Sequence, residues 1–175
     1  MKKFELTNEF VTNMFGTKLF RIRALVEFGD VEAGELGGYV EKESNLGHDD
    51  NAWVYDNAWV YGNARVYGDA LVYDNARVYG NAWVYGDAQV SGDARVCGDA
   101  RVCGNGDYAY AHGFGSVNRT TTFFRLKDGG VGVRCGCFYG TLAQFRDKIR
   151  ETHGETKKAQ EYLMLADLMK LRFEK

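Results

Sequence analysis

The densest group of side chains able to do chemistry lies between Tyr108 and Thr121. Tyr108, Tyr110, His112 and Phe114 alternate with small residues, and Ser116-Val-Asn118-Arg119-Thr120-Thr121 follows at once. Aromatic rings offer stacking surfaces, and an arginine offers a fork that grips phosphate through two parallel hydrogen bonds. Tyr108, Tyr110, His112, Phe114, Asn118 and Arg119 are therefore the candidate binding residues, and the ligand they suit is nucleotide-like. The competing role is an ordered loop whose Asn and Arg satisfy buried carbonyls.

The other reactive groups are sparse. His48 and His153 complete the histidines, and the cysteines stand at 97, 103, 135 and 137. Cys135-Gly-Cys137 lacks the two-residue spacer of a zinc knuckle. Read as a strand, it puts both thiols on one face, where buried free thiols are ordinary. There is no phosphate loop, nucleophile elbow or paired-carboxylate signature. The sequence thus assigns no catalytic residue, no metal and no cofactor.

These residues need a frame, and the chain supplies a periodic one. From Asn51 it reads NAWVYD, NAWVYG, NARVYG, DALVYD, NARVYG, NAWVYG, DAQVSG, DARVCG, DARVCG: nine hexads without a slip. A period of six fits no helix, and Gly or Asx at every sixth residue would break one. A short strand followed by a turn fits. Alternation sends Ala and Val to one face and hexad positions three and five to the other. Gly and Asp close each hexad because they tolerate positive φ. Strands this short are stable only when stacked coil on coil.

This pattern resembles the hexapeptide-repeat left-handed β-helix superfamily, in which three hexads make one triangular coil. The resemblance implies the left hand and a homotrimer packed along one face. Nine hexads give three coils, and Val40 and Leu46 continue the six-residue spacing upstream. Leu46 to Val54 is eight residues, so Gly47 to Asp50 is expected to bulge. Equivalent faces recur every eighteen residues, stacking tyrosines about 4.8 Å apart along the axis. Trp83 falls between Arg65 and Arg101, the arrangement of a cation–π sandwich. Trp53, Trp59, Trp83, Tyr61, Tyr79, Arg77 and Arg95 all point outward on this reading. So large an apolar exterior marks an oligomer or partner surface.

The flanks complete the plan. Lys18 to Leu25 is strand-like and belongs to an N-terminal cap, residues 1–39, before the β-helix at 40–107. Beyond it Tyr108 to Gly115 reads as an exit loop, and Thr120–Leu126 with Val131–Cys137 as a hairpin. Thr141 to Gln144 has capping-box spacing and opens a helix ending near Thr152, with Gly154 as its cap. Thr156 opens a second helix, on which Tyr162, Ala166, Met169 and Phe173 share a face. Residues 108–175 are thus an α+β tail. The fold class is mainly β: a left-handed parallel β-helix, a triangular solenoid, with a cap, a hairpin and two helices. The lead-in GELGGYVEKESNL, the exit HGFGSVNRTTTFF and the tail CGCFYGT resemble uncharacterised hexapeptide-repeat proteins of phages and Gram-positive bacteria.

Charge and composition narrow the function. Residues 49–107 carry nine Asp and four Arg, whereas residues 118–175 carry twelve Lys/Arg and seven Asp/Glu. Neither imbalance is the clustered basic surface of a nucleic-acid binder. No apolar leader or span of about twenty residues occurs, so a cytoplasmic location is expected, that of the host if the protein is phage-encoded. Acyl transfer, common among proteins the repeat resembles, would need His112 as general base. A carbonic-anhydrase-like zinc site would need histidines within the coils, where there are none between 49 and 111. The expectation is a non-catalytic, phage-type binding protein acting in counter-defence. Its partner is either a nucleotide-like immune signal or a host immune protein. A hexapeptide acyltransferase and a structural assembly protein are the alternatives.

Overall fold

The computed structural model describes residues 1–115 and 117–174. Strands β1 (Phe4–Thr12), β2 (Lys18–Ala24) and β3 (Leu36–Val40) come first. Nine two-residue strands, β4 to β12, follow at Trp53–Val54, Trp59–Val60, Arg65–Val66, Leu71–Val72, Arg77–Val78, Trp83–Val84, Gln89–Val90, Arg95–Val96 and Arg101–Val102. Strands β13 (Tyr108–Phe114), β14 (Arg119–Arg125), β15 (Val131–Cys135) and β16 (Phe138–Thr141) precede helices α1 (Leu142–His153) and α2 (Lys157–Phe173).

The two-residue strands stack into a parallel β-solenoid. Face one is β4-β7-β10, face two continues β3-β5-β8-β11, and face three is β6-β9-β12. Each register step is eighteen residues, as in Trp59↔Arg77 and Val60↔Val78. Every hexad Ala and Val is buried to within one per cent, forming one apolar column. Position six is the corner, with φ of 62 to 72 at the six glycines from Gly62 to Gly98 and φ of 52 and 58 at Asp56 and Asp74. The Asp corners are wired together. Asp74 N–H donates to Asp56 Oδ2 at 3.3 Å, and Gly92 N–H donates to Asp74 Oδ2 at 2.9 Å. Val40 pairs with Val60 and Leu46 with Val66, so the earlier partial coil exists, two residues longer through the bulge before Asn51.

Both ends are capped by the flanks. At the front, β1 and β2 extend the face-two sheet antiparallel to β3. Lys3, 3 % exposed, donates Nζ to the carbonyls of Asp50 and Ala52 at 2.8 Å each. Burial lowers its pKa, and Asp50 partly opposes that. Trp53 does not face solvent, and its assignment to a partner surface is corrected here. It is fully buried, with Phe28 and Phe4 edge-on at 5.3 and 6.2 Å. The earlier partial coil pairs on faces two and three but, among the described residues, no earlier strand stacks on β4, so the cap covers it with Phe4 and Phe28 and turns an outward position into core. Gly37 permits this, since a Cβ there would meet Val54 O at 2.5 Å.

At the other end the chain forms a four-stranded antiparallel sheet, β13-β14-β15-β16. The expected exit loop is therefore strand β13, held by pairs such as Tyr110↔Thr122. Strand β14 closes the last coil: Arg95 N–H donates to Thr122 Oγ1 at 2.9 Å, and Leu126 bridges Ala100. One side of this sheet thus completes the solenoid core through Phe124 and Tyr108. The other side carries Phe123 and Val133 into a second core with Phe145, Ile149, Tyr162, Ala166, Met169 and Phe173. Thr141 caps α1 through a capping box and Gly154 ends it. No helix among the described residues is long and apolar enough to cross a membrane.

Candidate functional site

Cys135 and Cys137 do not share a strand face, as the sequence suggested. Cys135 ends β15, and Gly136 and Cys137 form the tight turn into β16. Gly136 has φ 58, and a Cβ on it would lie 1.7 Å from Arg119 Nη1. The glycine therefore does two things: it makes the turn, and it leaves room for a guanidinium to lie against the backbone. Asn118, at φ 49, makes the bend that delivers Arg119 to β14.

Beside that guanidinium opens a cleft of about 530 Å³ between the β15–β16 hairpin and the helices. Phe138, Phe145, Ile149 and Tyr162 form its apolar wall, and Arg119, Lys148 and His153 supply its polar groups. The wall is a packed aromatic set. Phe138 and Phe145 centroids lie 5.5 Å apart, Phe145 meets Tyr162 edge-on at 5.8 Å, and His153 stacks on Tyr162 at 5.9 Å. The Tyr162 hydroxyl donates to Phe114 O at 3.2 Å. Burial, followed by the neighbouring Cys135 thiol, pushes its pKa up to about 12, so it remains a donor. Cys135 Sγ accepts from Thr121 Oγ1 at 3.2 Å. Such a cleft can stack a planar ring and pair an anionic group with a guanidinium fork.

Of the six binding residues expected from sequence, only Arg119 lines this cleft. Tyr108 is core, its hydroxyl donating to Gln89 O at 2.5 Å. Tyr110 lies with its hydroxyl over Gly92, which a Cβ would strike at 2.4 Å. His112 is exposed, with Nδ1 2.8 Å from Thr120 Oγ1, and lines none of the three clefts described. Phe114 packs against the second core beyond a bulge. Alternation alone would keep these four on one face; they disperse because β13 meets different partners along its length and a bulge falls between His112 and Phe114. Ser116 lies outside the described residues. Phe138, Phe145, Lys148, His153 and Tyr162 were missed. The available signal was α1, where Phe145, Lys148, Ile149 and Thr152 recur at helical spacing beside the hairpin.

The expected partner surface also divides. Arg77 lies over Trp59 at 4.1 Å, and Tyr61 stacks on Tyr79 at 5.0 Å. Both belong to face two, where Arg77 and Arg95 line a cleft with Arg119 and Gly136 of the chain's own C-terminal sheet. Cys97 beside them is buried, and burial raises its pKa against the opposing Tyr79 hydrogen bond. Face three stays open. Trp83 is 36 % exposed, with the Arg101 guanidinium 4.2 Å away. Among the described residues the cation–π contact at Trp83 is with Arg101 and not the sandwich with Arg65. Tyr67 and Tyr85 stack at 5.2 Å on the same face. A groove of about 270 Å³ between Leu46, Arg65, Tyr67 and Trp83 runs beside them. No three His, Cys, Asp or Glu side chains come together as a metal would require, among the described residues.

Comparison with known proteins bears on the scaffold. The YdcK Beta solenoid repeat family matches residues 58–73, 70–86 and 88–104. The coils from β5 to β12 are thus a β-solenoid repeat by sequence as well as by geometry. No curated protein matches the chain.

Proposed function

We propose that the protein is a non-catalytic binding protein whose ligand is an aromatic organic anion of nucleotide type. The ligand would seat in the cleft between the β15–β16 hairpin and α1. The observation that carries this reading is Arg119, laid against Gly136 beside the aromatic wall of Phe138, Phe145 and Tyr162. A guanidinium next to aromatic rings offers both halves of such recognition, charge pairing and stacking. The volume, about 530 Å³, falls in the range of small-molecule sites.

Sequestration is the use this reading favours. In a phage, such a protein would act in counter-defence, holding a nucleotide immune signal out of solution in the host cytoplasm. Occupying a host immune protein would draw instead on face three, where Trp83 is exposed. A homotrimer, which the hexapeptide resemblance implies, would use the same face.

Isothermal titration with AMP tests the binding reading. Saturable one-to-one binding is expected, weakened about ten-fold or more in Phe138→Ala, since base stacking contributes roughly 1–3 kcal/mol. Equal affinity in Phe138→Ala and wild type, with both correctly folded, would remove the cleft from consideration.

A further inference from the structure

A second cleft, of about 360 Å³, adjoins the first at Arg119, which borders both. It lies between face two of the solenoid and the turn of the C-terminal sheet. Its lining is Asn75, Arg77, Asp93, Arg95, Arg119, Thr120 and Gly136. Three guanidiniums thus face one carboxylate around a small volume. Among the described residues, no Asp or Glu forms an ion pair with Arg77, Arg95 or Arg119.

That grouping is costly if left empty, because like charges brought together repel. Two features hold it in place. The Arg77 guanidinium lies over the Trp59 ring at 4.1 Å, a cation–π contact that uses none of its N–H donors on an acid. Arg95 rises from β11, whose backbone is fixed to β14 by the Thr122 hydroxyl. A fourth guanidinium, Arg134, stands close enough to lower the pKa of Tyr79 and Cys97 against burial, and its Nε is buried without a partner. The local field is therefore positive, on a solenoid that is otherwise acidic. Forked guanidiniums gathered around one cleft select anions with several oxygens, phosphate above all.

We propose that this arginine cleft is a phosphate subsite, and that the ligand is a nucleotide carrying two or more phosphate groups. Its ring would lie in the aromatic cleft and its phosphates would extend past Arg119 to Arg77 and Arg95. The inference rests on the binding reading above for the ring, and on the arginines alone for the phosphates.

Titration of the full-length protein with AMP, ADP and inorganic pyrophosphate tests it. Wild type is expected to bind ADP about ten-fold or more tightly than AMP, from added charge-assisted hydrogen bonds. Arg95→Gln should abolish that preference while changing AMP affinity by no more than about two-fold. Should Arg95→Gln fail to fold, Arg95→Lys carries the test. A point charge in place of the fork should still lose most of the ADP preference. Equal affinities for AMP and ADP in wild type, or an unchanged ratio in the variant, would overturn the proposal. So would tighter binding of a single-stranded oligonucleotide than of ADP, which would assign the arginines to a polymer backbone. Pyrophosphate separates the two readings. If AMP does not bind but pyrophosphate does, and Arg95→Gln abolishes it, the arginine subsite stands and the aromatic cleft falls. If neither ADP nor pyrophosphate binds, the subsite falls.

Discussion

The solenoid and the C-terminal unit solve the same problem, burying a core, in opposite ways. In the solenoid a residue's environment follows from its place in the hexad, because each coil meets only its neighbours. In the C-terminal unit the environment follows from distant packing: Arg119, Phe145 and Tyr162 meet only after a sheet and two helices have assembled. The repetitive part is thus regular and chemically plain. The two larger clefts, which Arg119 joins, arise in the irregular unit and at its junction with the coils.

The comparison can be broken first at Trp53 and Trp83, which share hexad position three. If burial and not repeat position sets their weight, Trp53→Ala should cost about 3–5 kcal/mol, as for other fully buried tryptophans. Trp83→Ala should cost less than about 1 kcal/mol, chiefly the Arg101 contact. Urea unfolding followed by circular dichroism measures both, and similar losses would contradict the assignment of Trp53 to the cap.

The corners give the next largest contrast. Gly86 has φ 62, and a Cβ there would meet Cys103 O at 2.3 Å. Gly86→Ala should cost about 1–3 kcal/mol through backbone strain. Gly104 closes the last hexad without positive φ, and only Asp87 Oδ1, at 3.2 Å, is near. Gly104→Ala should lie within about 0.5 kcal/mol of wild type. The two unfolding curves decide whether the last corner is released from the repeat's rule.

Gly136→Ala moves the contrast to the site. The new Cβ would displace the guanidinium of Arg119, so nucleotide binding should weaken about ten-fold, or 1.4 kcal/mol. The solenoid's unfolding should hardly change, and titration beside thermal unfolding separates the two. Retained affinity would mean that the glycine serves the turn alone.

The smallest effect is alkaline. Burial raises the pKa of Tyr79 in the solenoid; it pushes that of Tyr162, in the C-terminal unit, up to about 12. A folded pKa above the unfolded value of about 10 means that the native state holds its proton longer. Stability from these hydroxyls is complete below pH ~10 and is lost as pH rises toward the folded values. Tyr162→Phe should remove part of this alkaline loss, read as a shallower fall in the unfolding midpoint between pH ~9 and ~11.

Legibility followed the same divide. The hexads disclosed nine strands, their faces, the inward Ala/Val column and the bulge before Asn51, because period two inside period six fixes each side chain. Helices α1 and α2 were readable from Thr141, Gly154 and the stripe ending at Phe173, because caps and spacing are local. Strand β1 escaped notice because its alternation is interrupted by a bulge between Leu6 and Phe10. Tyr108 to Phe114 resembled a loop because Gly113 and the alanines dilute its strand character. Trp53 was misplaced because a repeat carries no mark of where its end is covered. Arg119 was found as a phosphate-type side chain, but its partners were not. Cys135-Gly-Cys137 looked like thiol chemistry, when its informative residue was the glycine between them.

The most direct test of the account is a crystal structure of the complex with ADP. The account predicts the adenine ring against Phe138 and Phe145, with phosphate oxygens within hydrogen-bonding distance of Arg119 and Arg95. A nucleotide bound on face three beside Trp83, or an ADP complex in which both clefts stay empty, would contradict it.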